Sequence, residues 1–122
     1  MYKGYGILLK ADCSVHRVEI DGTFEIYQQL VGGFFECVYP AHFPFPNVVF
    51  LVDDEGKLKG RPVNWMGSAF YANPVDVLVG DVLILKLERV GEFQELDSVP
   101  FTREEADRII AWILEYFLLK DE

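Results

Sequence analysis

The stretch FTREEADRIIAWILEYFLLK, residues 101–120, constrains the fold of this chain more than any other. Thr102 stands three residues before Glu105, the spacing of a capping box: the hydroxyl accepts from an amide of the first turn while the carboxylate reaches back to the threonine amide. Glu104 in the first turn and Lys120 near the end suit the helix dipole. Ala106, Ile109, Ile113 and Phe117 recur at helical spacing and call for burial, and Trp112, Leu114, Tyr116 and Leu118 widen the apolar surface beyond one stripe. A helix this apolar needs a broad platform beneath it. Trp112, Leu114, Tyr116 and Leu118 are therefore candidate interface residues, for a homodimer or another partner. The alternative is that a sheet and a proline-rich loop cover them.

The platform is legible upstream. Residues 4–10 and 15–20 read as two strands around a turn at Ala11, Asp12, Cys13 and Ser14. Thr23 is placed to cap a short helix over 24–31 with Phe24, Tyr27 and Val31 on one face, closed by Gly32 and Gly33. Residues 33–39, GFFECVY, carry bulk on both sides and read as a central strand. Three prolines bar residues 40–47, PAHFPFPN, from any central strand and leave an exposed or wrapping loop. A fourth strand over 48–53 is apolar on both faces, Asn64 is placed to cap a short helix through Tyr71, and 75–79 and 81–88 read as strands split by Gly80. The expected fold is α+β: one domain with a mixed, mostly antiparallel sheet of about five to six strands, a short helix after strand two and the amphipathic C-terminal helix. Residues 1–92 form its core, and 93–122 an acidic linker and the helix packing on the same domain.

The chain has 122 residues, enough for a core without disulfides or metal, and a net charge of −9. From Glu88 onward ten acidic residues face four basic ones, a balance of −6, which leaves −3 for the rest. Phosphate backbones repel such a surface, so direct nucleic-acid binding is not expected, whereas basic protein partners suit it. No apolar run approaches the roughly 20 residues of a membrane helix, and the N-terminus lacks the pattern of a secretory signal. A cytoplasmic location with free thiols at Cys13 and Cys37 is expected.

No catalytic apparatus emerges, and a non-enzyme without cofactor is expected. Cys13 and His16, with Cys37 and His42, offer four soft ligands, but the spacing is a weak signal for zinc. Cys37 reads as a small buried hydrophobe in mid-strand, and His16 alternates toward the core with Val18 and Ile20. Asp76 and Asp81 bracket VLVG and read as turn residues. Asp53, Asp54 and Glu55 likewise read as turn formers.

One loop stands apart. Lys57, Lys59 and Arg61 cluster without an interleaved carboxylate, followed by Asn64 and Trp65. Three cations on a tip, an amide and an indole are ingredients for holding a nucleotide or another small anion, and Glu36 is placed to line the same groove. Lys57, Lys59, Arg61, Asn64, Trp65 and Glu36 are the candidate ligand residues, on the premise that the tip meets something outside the molecule. The alternative is a tip neutralised by Asp53, Asp54 and Glu55. A tip that borders a concave pocket favours a small ligand; one folded onto its own carboxylates favours a protein partner.

The ordered blocks VEIDGTFEIYQQLVGGFFECV, VDDEGKLKGRPVN and DVLVGDVLI, with Gly67, Ser68, Phe70 and Tyr71 between the last two, resemble an uncharacterised family of small domains from phages, plasmids and conjugative elements. The recurring positions are Gly32, Gly33, Gly56, Lys57, Lys59, Gly60, Asn64, Gly80 and Asp81. The resemblance implies an α+β fold and a mobile-element setting, with no assigned activity. The expectation is an accessory protein that binds a host protein stoichiometrically, inhibiting a defence or nucleic-acid-handling factor, with sequestration of an anionic small molecule as the alternative.

Overall fold

The computed structural model describes residues 4–120, with strands β1 (Gly4–Leu9), β2 (Val15–Ile20), β3 (Phe35–Val38), β4 (Val48–Asp53), β5 (Val82–Val90) and β6 (Glu95–Val99) and helices α1 (Phe24–Val31), α2 (Trp65–Tyr71) and α3 (Arg103–Lys120). The fold is α+β, as the hydrophobic patterning implies. The sheet runs β2-β1-β5-β4-β3, with β6 beside β5, and its strand pairs are antiparallel.

β4 is buried at every position because both faces of the sheet are covered. On one face α1 lays Tyr27 and Val31 over Leu8, Val49, Leu51, Leu83 and Leu85. On the other, α2, α3 and the proline-rich loop close over Ile7, Leu9, Phe50, Val52, Val82 and Ile84. The helix ends behave as their residues dictate. Thr23 Oγ1 accepts from the Ile26 amide and Gly32 takes the left-handed conformation at φ 98°. In α3 the Thr102 amide donates to Glu105 Oε1 at 2.8 Å and the Glu105 amide to Thr102 Oγ1 at 3.2 Å, completing the capping box. The side chain of Lys120 lies outside the described residues.

Three readings change. The strand at 35–38 is an edge strand rather than a central one: Phe35 packs on Phe24 and Tyr27 of α1, but flanking Phe34 and Tyr39 are exposed. Residues 75–79 make no strand; Leu78 bonds with Ser68 of α2, and Val79 forms an isolated bridge with Val63 outside the sheet. The sixth strand lies instead in the stretch read as an acidic linker, where Glu95–Val99 returns along β5. Its charged alternation hid a half-solvated ribbon strand.

The proline-rich loop wraps. Phe43 sits 4.9 Å from Phe70 and 5.5 Å from Trp112 between ring centroids, and Phe45 lies 5.8 Å from Trp112. Tyr116 stacks on Trp112 at 5.1 Å and meets Phe70 at 5.4 Å. Trp112 and Tyr116 are thus spent on an internal aromatic cluster, each ring pair contributing about 0.5–1.5 kcal/mol beyond area burial, and are not a free interface. Leu114 and Leu118 remain exposed, at 50% and 68%.

Candidate functional site

The basic loop folds inward onto one carboxylate. β4 ends at Asp53, whose side chain is 1% exposed. Its Oδ1 accepts from the Glu55 amide at 2.9 Å, and its Oδ2 accepts from Lys59 Nζ at 2.8 Å and from Arg61 Nε at 2.9 Å. Both cations carry a second bond: Lys59 Nζ at 3.2 Å and Arg61 Nη2 at 3.1 Å donate to the carbonyl of Gly32, the C-cap of α1. Two cations at a helix C-terminus also suit its dipole. The knot ties the end of α1 to the end of β4. Burial raises the Asp53 pKa, but the hydrogen bonds from Lys59, the Glu55 amide and Arg61 more than offset it and hold the carboxyl below its ordinary 3.8.

The glycines of the loop's neighbourhood exist to let these side chains pass. A Cβ on Gly32 would stand 2.5 Å from Arg61 Nη2, one on Gly33 2.7 Å from Lys59 Nζ, and one on Gly80 2.8 Å from Arg61 Cδ. Gly32 and Gly80 also hold positive φ, at 98° and 75°. Gly32→Ala should therefore cost about 1–2 kcal/mol through backbone strain and displacement of the guanidinium. A lower urea midpoint at unchanged m-value would report it.

The remaining candidates do not join this knot. Lys57 pairs with Asp76. Glu36 and Lys57 do line a common cavity of about 210 Å³, but its other walls include Asp53, Asp54 and Asp76. An anion entering there would meet four carboxylates and one ammonium. Asn64 is fully buried and unavailable to a ligand: Oδ1 accepts from the Gly67 amide at 2.9 Å, while Nδ2 donates to the carbonyls of Leu9 at 2.9 Å and Gly80 at 2.8 Å. It caps α2 and pins that helix to β1 and to the turn before β5. Trp65 is 67% exposed, and among the described residues no lysine or arginine lies over its ring; the cation–π contact there is Arg17 over Tyr5 at 5.1 Å. The six residues thus sit in four different environments and are not brought together in one site among the described residues.

Nor do the soft ligands converge. Cys13 occupies the first hairpin turn at φ 70°, and His16, exposed rather than core-facing, meets Ser14 Oγ at 2.7 Å. Cys37 is exposed on the edge strand. Among the described residues no three His, Cys, Asp or Glu side chains gather as metal ligands. Asp81 accepts from the Ala11 amide at 3.0 Å, a turn role like that of Asp76 beneath Lys57.

Gly32, Gly33, Lys59, Asn64, Gly80 and Asp81 are six of the nine positions that carry the sequence resemblance, and each of the six has a structural duty in or beside this knot. The model of a family described as a domain of unknown function, DUF3846, matches residues 5–106. The chain belongs to the DUF3846 family. The matched span runs from β1 into the first turn of α3, so the DUF3846 unit includes β6 and the whole sheet. No curated protein and no solved structure matches the chain.

Two features escaped sequence reasoning. Asp53 read as a turn former, though an aspartate closing a strand apolar on both faces, with cations six and eight residues on, carries the signal of a buried acceptor. The other is a cavity of about 630 Å³ between the proline-rich loop, the second half of β5 and α3. It is built by residues distant in sequence and had no local signature.

Proposed function

We propose that this DUF3846 domain works by stoichiometric binding of a protein rather than by turnover, in a mobile-element setting within the host cytoplasm, where it inhibits a host defence or nucleic-acid-handling protein. The observation that carries the reading is the internal neutralisation of the loop: Lys57 is held by Asp76, and Lys59 and Arg61 by Asp53. A loop spent on its own carboxylates offers no charge to a small anion. Exposed apolar side chains, among them Trp65, Phe93, Leu114 and Leu118, on a chain of net charge −9, suit a basic protein surface with apolar sockets. Leu114 and Leu118 are also where a homodimer would form.

Thermal unfolding with millimolar nucleoside triphosphates, cyclic dinucleotides or inorganic phosphate should leave the melting temperature unchanged. A ligand at a hundred times its Kd would add about 2.7 kcal/mol of stability, and a shift of that size would replace this reading with the small-anion one. Capture on the immobilised chain from host lysate should recover one protein in fixed molar ratio, and recovery of none would refute the reading.

A further inference from the structure

β5 is longer than the strand that flanks it. β4 pairs with β5 only from Val48 opposite Lys86 to Leu51 opposite Leu83, whereas β6 pairs with it from Lys86 to Val90. The Leu87 amide still finds the Asn47 carbonyl at 2.8 Å. Beyond it the chain turns away into the proline-rich loop, with Asn47 at φ 60°. Backbone groups of alternate residues in an antiparallel strand face the same neighbour. The N–H and C=O of Arg89 therefore face the same side as the Leu87 amide, where β4 has not yet begun. This open length borders the 630 Å³ cavity, walled by Phe45, Pro46, Arg89, Phe101, Arg108 and Ile109.

The cavity also holds unsatisfied positive charge. Lys86 is neutralised by Glu105 at 3.1 Å and Glu88 at 3.8 Å. Among the described residues no carboxylate lies within ion-pair distance of Arg108, whereas the Arg89 side chain projects from the opposite face of β5, with Leu85 and Leu87, and donates to the Gln94 carbonyl. A guanidinium with no ion-pair partner beside this groove stands out in a chain with 20 acidic and 11 basic residues. An open strand edge, an apolar wall and the free Arg108 guanidinium are the three complements of an extended peptide: its backbone, its alternate apolar side chains and a carboxylate between them.

We propose that this groove receives an extended segment of a partner protein, which continues the line of β4 along β5 at Arg89, lays apolar side chains against Phe45 and Ile109, and presents an Asp or Glu to Arg108. The proposal rests on the protein-binding reading for its choice of a peptide and adds the surface and the recognised chemistry.

The probe is a library of random nonapeptides selected on the full chain, the best sequence then being labelled for fluorescence anisotropy. Selected peptides should alternate apolar residues with Asp or Glu, and should slow amide exchange at Arg89. Arg108→Glu should weaken binding at least about tenfold, the scale of one lost charge-assisted bond. Arg103→Glu, at an exposed arginine outside the groove wall, should not. Arg89→Pro removes the donor while leaving the β6 ladder, since that N–H faces away from β6; it should abolish binding where Arg89→Ala retains it in part. Protected exchange at Glu88 and Val90 checks that the Arg89→Pro ribbon is intact.

Peptides lacking carboxylates, indifference to Arg108→Glu, protection mapped away from β5, or no selected peptide would each overturn the proposal. So would dimerisation abolished by Arg89→Pro, which would assign the edge to a second copy. A host protein captured but not displaced by the peptide would sink the groove and spare the protein-binding reading. Peptide binding with no host protein captured would do the reverse.

Discussion

Removing the two cations from Asp53 should destabilise the fold more than removing Asp53 itself. In Asp53→Asn the knot loses a charge, but Lys59 and Arg61, with side chains 37% and 34% exposed, can turn back into water. Discounting for that screening, the cost should be about 2–3 kcal/mol. In the double variant Lys59→Gln and Arg61→Gln a carboxylate that is 1% exposed keeps only the Glu55 amide. An unpaired buried charge costs about 3–5 kcal/mol, which for a domain of this size lowers the melting temperature by some 10–20 °C. Urea titrations at pH 7 check the order. A double variant as stable as wild type would mean that the cations serve an external partner after all.

The pH dependence has a definite sign. The folded carboxyl of Asp53 lies below its ordinary value of 3.8, so its contribution is complete above that value and is lost as the pH falls through the lower folded one. The stability gap between wild type and Asp53→Asn should therefore be constant from neutrality down to about pH 5 and close on further acidification.

This knot shows how far local sequence reasoning reaches. The capping box at Thr102, the caps at Thr23 and Asn64 and the buried strand at 48–53 were legible because each depends on residues within a few positions of one another. The fate of the basic tip was not, because it depends on a carbonyl 29 residues upstream and on glycines from two other turns. The clustered cations looked like an advertisement to a partner, and the same spacing serves equally well to surround a buried acceptor. Trp112 and Tyr116 misled for a related reason: the apolar width of α3 was real, but the side chains that cover it, Phe43 and Phe45, come from a loop that proline content marks only as irregular. The strand at 95–99 was hidden because four acidic residues between Glu88 and Asp97 mask the alternation of a ribbon that is solvated on much of its surface.

Asn64→Asp should be the most damaging single substitution of similar size, and it separates the structural duty of this residue from a ligand-binding one. Oδ1 can still cap α2 through the Gly67 amide, so the shape and the cap survive. The second carboxyl oxygen, however, replaces an NH₂ group that donates to the Leu9 and Gly80 carbonyls, and it meets two acceptors in a site without solvent. The ionised form loses both bonds and adds repulsion, a penalty of about 3–5 kcal/mol at pH 7. Protonation restores one donor. The folded pKa of the new carboxyl must then lie above its unfolded value of about 3.9, so the variant's deficit is smallest below that pH and grows as the pH rises toward the folded pKa. Asn64→Ala, which loses the cap and both carbonyl partners without gaining a charge, should cost about 3 kcal/mol at every pH. Urea midpoints of the two variants between pH 4 and 7 decide the matter. Parallel curves would show that the carboxylate finds a donor in the fold, and a wild-type midpoint for either variant would refute the role of Asn64 as the pin between α2, β1 and the turn before β5.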